Sequence, residues 1–64
     1  MRVKEYDFKS FYGNIQVINK TKNEQHISFA NINDFINDFG EYEIVKIEKN
    51  IVYQLLIVTV IRKI

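Results

Sequence analysis

Few residues in this sequence could form a catalytic site. Nucleophilic catalysis requires an activated Ser, Cys or Lys beside a base, and the chain contains no Cys and one His. The candidate nucleophiles are Ser10 and Ser28; the candidate base, His26, falls at a polar position of a predicted strand, as is typical of a solvent-exposed histidine. Two isolated glycines cannot form a glycine-rich phosphate loop. We therefore expect a protein that is not an enzyme.

Ligands for a metal or cofactor are equally scarce. Without Cys the chain can form neither a disulfide nor a thiolate zinc site. A single His leaves carboxylates as the available metal ligands, and these suit hard cations bound by loops, of which the chain has few. The sequence predicts no metal and no cofactor.

Charge is distributed unevenly along the chain. Residues 1–22 and 44–64 each carry a formal charge of +3, whereas residues 23–43 carry −5 and contain no Lys or Arg. The acidic segment includes a predicted helix, and Asp38 falls in its last turn, where the helix dipole disfavours a carboxylate. One interpretation is a solvated helix side; the other is an acidic surface that binds a basic protein surface. The candidate partner-binding residues are Asp34, Asn37, Asp38 and Glu41.

Basic side chains suggest nucleic-acid binding as an alternative. Beside the aromatic ring of Phe11, the candidate phosphate-binding residues are Arg2, Lys4, Lys9 and Lys20. Acidic residues interrupt the same side, and a net charge of +1 is a weak electrostatic footprint for nucleic acid. A small nucleic-acid-binding regulator is therefore the second choice.

Composition favours strands, because 11 Ile, 6 Val and 2 Thr outnumber 2 Leu, 1 Ala and 1 Met. Residues 4–12 alternate between apolar and charged side chains, and Gly13-Asn14 is a typical two-residue hairpin turn. This pattern predicts that residues 4–12 form the first strand of a meander.

Two further strands complete the predicted meander. The second runs from Ile15 to about Asn19 and is followed by the polar residues 20–24. The apolar side of a third strand then falls opposite that of the second, with Ile27 facing Val17 and Phe29 facing Ile15.

Residues 31–40 change to a helical period. Apolar side chains recur at i, i+3, i+4 and i+7, namely Ile32, Phe35, Ile36 and Phe39. Asn31 suits the N-cap, and Gly40 is expected to end the helix in the left-handed conformation. Because a helix of about two turns is unstable alone, it must dock on the apolar face of the meander.

The C-terminal part of the chain predicts a second hairpin. Residues 42–48 and 51–64 would pair about a turn at Lys49-Asn50. The last strand is apolar on both sides, as is typical of a central strand that is covered twice, yet one short helix covers only one face of a sheet. We assign self-association to the face away from the helix and expect a homodimer, with burial inside a monomer as the alternative. The residues assigned to this contact are Leu56, Val58 and Val60.

Chain length points to the same need for association. A single domain of 64 residues has a core that rarely contributes more than about 3–5 kcal/mol. Without disulfide or metal, binding to itself or to a partner is the remaining source of stability.

The predicted fold is α+β over residues 1–64: a mostly antiparallel, four- to five-stranded sheet in ββ(β)αββ order, with one short helix packed on one face.

In size and composition the chain resembles the short accessory proteins of phages and mobile elements from AT-rich bacteria, since Ile, Asn and Lys account for 25 of its 64 residues. Many such proteins bind and inhibit host or defence proteins, so this resemblance implies an inhibitor. No apolar run approaches the roughly 20 residues that span a bilayer, and no signal peptide is recognisable. We expect a cytoplasmic, non-enzymatic protein–protein interaction module with no membrane partner.

Overall fold

The computed structural model of the protein describes residues 1–8 and 11–63. In chain order these contain a 3-10 helix (Val3–Glu5), strand β1 (Asn14–Asn19), a second 3-10 helix (Lys20–Lys22), strand β2 (Gln25–Phe29), helix α1 (Ile32–Phe39), strand β3 (Glu43–Asn50) and strand β4 (Leu55–Ile61). The predicted α+β class with one short α-helix is confirmed for the described residues.

The strands form one mixed sheet in the order β2-β1-β4-β3. β1 and β2 form an antiparallel hairpin, as do β3 and β4, but the two central strands β1 and β4 are parallel. The predicted mostly antiparallel, four- to five-stranded sheet is confirmed only in part: two pairings are antiparallel, the central pairing is parallel, and the described residues form four strands. Parallel pairing is feasible because the segment containing α1 is long enough to carry the chain from one sheet edge to the other.

The first hairpin has the predicted register. Ile27 pairs with Val17 and Phe29 pairs with Ile15, so the apolar sides of β1 and β2 coincide. The prediction of β4 as a central strand is confirmed as well, since it lies between β1 and β3.

The N-terminal segment does not form the predicted strand. Lys9 and Ser10 lie outside the described residues; before them, Val3–Glu5 is a 3-10 helix, and the Val3 amide donates to the Tyr42 carbonyl at 2.8 Å. This segment therefore crosses beside the start of β3. It does not pair with β1, because β4 occupies the position beside that strand.

Gly13 does not form the predicted hairpin turn. Its φ of 149° is available to glycine and strained for other residues, and β1 starts at the next residue. A Cβ at Gly13 would lie 2.1 Å from the backbone oxygen of Gln54, so the glycine allows two backbone segments to approach each other.

Helix α1 confirms the predicted apolar period and N-cap. The Asn31 side chain accepts a hydrogen bond from the Asn33 amide at 2.7 Å, and Phe35 and Phe39 are buried. Gly40, however, has φ −56° and ψ −34°, so the predicted left-handed end is wrong. The chain continues in a right-handed turn, closed by a bond from the Tyr42 amide to the Phe39 carbonyl at 3.0 Å.

The β3–β4 turn lies beyond the predicted position. β3 continues through Asn50, and the turn comprises residues 51–54. The prediction failed because Ile51, Val52 and Tyr53 have strand-forming side chains, whereas turns usually contain polar residues or glycine.

The core lies between the sheet and a layer formed by α1 and the N-terminal segment. Its buried apolar residues are Val3, Phe8, Phe11, Ile15, Val17, Phe35, Phe39, Leu56, Val58 and Val60. Phe35 is at the centre: its ring centroid lies 5.5 Å from that of Phe8 and 5.8 Å from that of Phe29. These edge and tilted contacts join the helix to both β2 and the N-terminal segment.

The assignment of self-association to Leu56, Val58 and Val60 is corrected by this core. The three side chains are only 5%, 0% and 0% exposed, and they face the helix layer. The physical reason is register, because Val58 pairs with Val17 and Val17 with Ile27, which gives the three strands one shared apolar side.

Candidate interaction surfaces

The opposite side of the sheet, which we call the open face, has an apolar centre. Residues that alternate with the core positions lie on it, and those with apolar side chains are Ile18, Val45, Leu55, Ile57 and Ile61. Val45 lies at a β-bulge and is 54% exposed, whereas the other four are half-buried. α1 and the N-terminal segment pack on the other side of the sheet, so they do not cover this face.

Polar side chains surround the apolar centre. On β1 and β2 these are Gln16, His26 and Ser28; on β3 they are Glu43, Lys46, Glu48 and Asn50. An apolar centre with a polar rim is the usual composition of a protein–protein interface. The open face therefore has the chemistry of a contact surface.

His26 lies on this rim, within hydrogen-bond distance of Gln16. It lines a shallow cavity of about 300 Å³ together with Glu24, but Glu24 pairs with Lys20 at 3.3 Å. The Nδ1 atom of His26 lies 3.4 Å from Gln16 Nε2. Within the described residues, His26 thus has an amide partner rather than the carboxylate that would orient a general base.

The acidic helix side is assembled only in part. Asp34, Asn37 and Asp38 are exposed, whereas Glu41 bonds to Lys4 Nζ at 2.7 Å and to Arg2 Nη1 at 3.4 Å. The hydrogen bond and the charge of Lys4 lower the pKa of Glu41 below its usual 4.5. Glu41 therefore holds the N-terminal segment, and the other three residues remain available to a partner.

A second carboxylate holds the chain start. Glu43 Oε2 accepts from the Met1 ammonium at 2.8 Å, which lowers the pKa of Glu43 below its usual 4.5. The Ile44 amide also donates to the Met1 carbonyl at 2.8 Å. Met1 thus continues the sheet edge beside the start of β3.

Acid should loosen this N-terminal attachment. Because both carboxylates have lowered pKa values in the folded chain, their contribution is complete above pH 4.5 and is lost as the pH falls through those values. We expect hydrogen exchange at the Ile44 amide, corrected for intrinsic rate, to increase below pH 4.5 by less than about tenfold, since exposed ion pairs contribute little.

The matched variant is Glu41→Gln/Glu43→Gln, which cannot titrate at either position. It should exchange faster than the unmodified chain at neutral pH and show a flatter pH dependence. An equally steep acid dependence in this variant would contradict the assignment to these two carboxylates.

The four basic residues predicted for nucleic acid do not form one stripe of uncompensated charge. Arg2 and Lys4 pair with Glu41, Lys20 pairs with Glu24, and Lys9 lies outside the described residues. A different basic group lies near the end of β4, where the Arg62 amide donates to Thr21 Oγ1 at 2.6 Å. This bond places Arg62 beside the 3-10 helix that contains Lys20 and Lys22.

The sequence interpretation missed an exposed hydrophobic group at the β3–β4 turn. We call it the apolar tip, and its members are Tyr12, Ile51, Val52 and Tyr53, which are 84%, 79%, 86% and 77% exposed. The sequence contains one signal that could have indicated the apolar tip. Three large apolar residues follow one another in the hairpin turn, where residues are usually polar.

No protein-family model, curated protein or solved structure matches the chain. Among residues 1–8 and 11–63, no helix has the length and apolar character needed to cross a membrane.

Proposed function

We propose that this protein is a non-enzymatic protein–protein interaction module that forms a homodimer through its open face. The observation that carries the proposal is the apolar centre of that face, formed mainly by Ile18, Leu55 and Ile57 between polar edges. Packing of two sheets face to face would remove these side chains from water. Inhibition of a host or defence protein is the role we propose for the dimer, on the resemblance in size and composition.

The charge pattern of β3 suits a second copy of the chain. On the open face, Lys46 is level with Thr59 and Glu48 is level with Ile57. Consider a two-fold axis that lies between the two sheets, perpendicular to the strands and at the level of Val58. It places the Thr59 level of one copy opposite the Ile57 level of the other. Each Lys46 would then lie opposite the partner's Glu48, and each Leu55 opposite the partner's Ile61.

This arrangement is self-complementary, as a two-fold interface requires. Within one chain Lys46 Nζ already lies 2.5 Å from Glu48 Oε1, so the dimer would contain a four-residue network with alternating charge. Such charges contribute mainly to specificity and register, while the apolar centre supplies most of the affinity.

Ile57→Asp should convert the dimer into a monomer. Each copy loses the burial of one large apolar side chain, about 1.5–3 kcal/mol, and the symmetric dimer loses it twice. We expect the dissociation constant measured by sedimentation equilibrium to increase by roughly 100-fold or more.

Val52→Asp is the matched control, because it places the same charge on the apolar tip, away from the open face. It should remain dimeric. A monomeric unmodified chain at micromolar concentration, or an Ile57→Asp variant that dimerises normally, would contradict the proposal. If Ile57→Asp does not fold, the unfolding midpoint of the unmodified chain still decides, because a dimer gains stability with concentration and a monomer does not.

Charge reversal tests the proposed axis independently of the apolar contact. Lys46→Glu should weaken dimerisation by repulsion from Glu48 of both copies, and Lys46→Glu/Glu48→Lys should restore it. If the double variant is as weak as the single variant, the two-fold axis lies elsewhere.

Nucleic-acid binding is a second candidate, favoured by the basic residues Lys22 and Arg62, which lie close together near the end of β4 beside the paired Lys20. A salt-dependent shift with single-stranded DNA or RNA that Lys22→Glu/Arg62→Glu abolishes would support it. Absence of binding at low salt would remove it, and neither outcome depends on the oligomeric state.

A further inference from the structure

The apolar tip is the most exposed hydrophobic group among the described residues. It includes four of the seven exposed large apolar side chains in residues 1–8 and 11–63. A contiguous exposed group of this kind on a small protein marks a site of contact. The open face accounts for none of its members, since they lie in the β3–β4 turn and in the segment before β1.

Hydrogen bonds connect the residues of the tip to one another and to the start of β1. Asn50 Oδ1 accepts from the Tyr53 amide at 3.2 Å, and the Ile51 carbonyl accepts from the Gln54 amide at 3.4 Å. The Gln54 carbonyl in turn accepts from the Asn14 amide at 3.1 Å, which joins the turn to the segment containing Tyr12. A preorganised contact of this kind loses less conformational entropy when it binds.

The charge around the tip defines the chemistry of its partner. Residues 49–54 and 11–14 contain no acidic side chain and one basic side chain, Lys49. Lys49 Nζ lies 5.9 Å from the centre of the Phe11 ring, at the base of the tip. A complementary surface is therefore concave, apolar inside, and acidic at the rim near Lys49.

We propose that the apolar tip inserts into an apolar cleft of a different protein, with a carboxylate of that protein facing Lys49. The two tyrosines suit such a site, since Tyr combines a large apolar ring with a hydroxyl that can hydrogen-bond at the rim. This inference deepens the proposed function by naming the surface that binds the second protein.

The proposed dimer geometry, on which this step rests, favours a different protein over a second copy. A two-fold axis across the strands places the two tips at opposite ends of the dimer, so both stay outside the self-contact. It also disfavours a membrane, because a flat bilayer could reach only one tip. Anchoring usually needs a second signal such as several basic residues, and Lys20, Lys22 and Arg62 lie at the opposite end of the strands.

Site-specific photo-cross-linking followed by reconstitution tests the inference. The full chain carrying p-benzoylphenylalanine at position 53 is produced in the cells that naturally make it, with the same replacement at Tyr6 as the control. A protein that cross-links to position 53 but not to position 6 is identified and purified. Its affinity for the unmodified chain is then measured by calorimetry. We expect Val52→Asp to weaken this binding at least 100-fold and Tyr53→Ser to weaken it about tenfold.

Ile57→Asp separates this inference from the proposed dimer. If the tip binds a different protein, Ile57→Asp should keep the affinity per chain while losing the dimer, and Val52→Asp should keep the dimer while losing the partner. Loss of the dimer would therefore appear in Ile57→Asp alone, and loss of partner binding would appear in Val52→Asp alone.

Three results would overturn the inference. One is a purified partner that binds Val52→Asp as tightly as the unmodified chain. Another is tip-dependent binding to vesicles of 7:3 phosphatidylcholine to phosphatidylglycerol, which would assign the tip to a membrane. The third is assembly beyond a dimer that Val52→Asp abolishes, which would assign the tip to a second copy.

Discussion

Replacing Phe35 by alanine should leave the chain largely unfolded at 25 °C. Phe35 is fully buried, and its ring packs on Phe8, Phe29 and Phe39. Truncation of a buried Phe costs about 3–5 kcal/mol of folding stability. A core of this size supplies no more than about 3–5 kcal/mol in total. Far-ultraviolet circular dichroism and urea unfolding would measure the loss.

Tyr12→Ala is the matched control, since it removes an aromatic ring that is 84% exposed. We expect a change within about 0.5 kcal/mol, as for other surface substitutions. If Phe35→Ala unfolds at the same urea concentration as Tyr12→Ala, Phe35 is not the centre of the core.

Gly13→Ala should destabilise the fold by about 2–4 kcal/mol, from backbone strain and the loss of a hydrogen bond. The φ of 149° at Gly13 is unsuited to alanine, and its Cβ would lie 2.1 Å from the Gln54 oxygen. That oxygen accepts from the Asn14 amide, so the clash separates the start of β1 from the start of β4. Chemical denaturation would measure the free energy of unfolding.

The control is Gln54→Gly on the other side of the same contact. Gln54 has a φ of 49°, which glycine adopts without strain, and this gain offsets the greater flexibility of glycine in the unfolded chain. We expect a change within about 0.5 kcal/mol. A stable Gly13→Ala variant would contradict the close approach of these two segments.

Helix α1 and the β1–β2 register were predictable because they depend on neighbours in the chain. The apolar stripe ending at Phe39 and the capping side chain of Asn31 have the helical period and the usual N-cap chemistry. The pairing of Val17 with Ile27 follows from a short hairpin with one apolar side. Each pattern lies within about fifteen residues and has few alternatives.

The N-terminal segment shows where local pattern fails. Residues 4–12 alternate as a strand does, but the position beside β1 is occupied by β4, whose side chains are apolar except for Thr59. Val3, Phe8 and Phe11 instead cover the core. Competition between two segments for one place in a sheet depends on contacts between distant residues, which alternation does not encode.

For the candidate surfaces, too, local sequence patterns indicated some features, whereas long-range packing decided others. The small size and the doubly apolar last strand led to the expectation of a contact surface, which stays a prediction, but the residues assigned to it lie in the core. The apolar tip was not predicted, because Ile51 to Tyr53 resemble a strand until the turn is located. The acidic helix side was found from charge alone, although only the structure shows that Glu41 holds Lys4.

By itself, the sequence determined the α+β class, the one α-helix found among the described residues, one hairpin register and a last strand at the centre of a sheet. The tertiary structure alone decided that β1 and β4 run parallel, that Leu56, Val58 and Val60 face the core, and that the open face has Ile57 near its centre. The reason is that side-chain period determines which residues share a side, whereas the choice of the covered side depends on long-range packing by the N-terminal segment and α1.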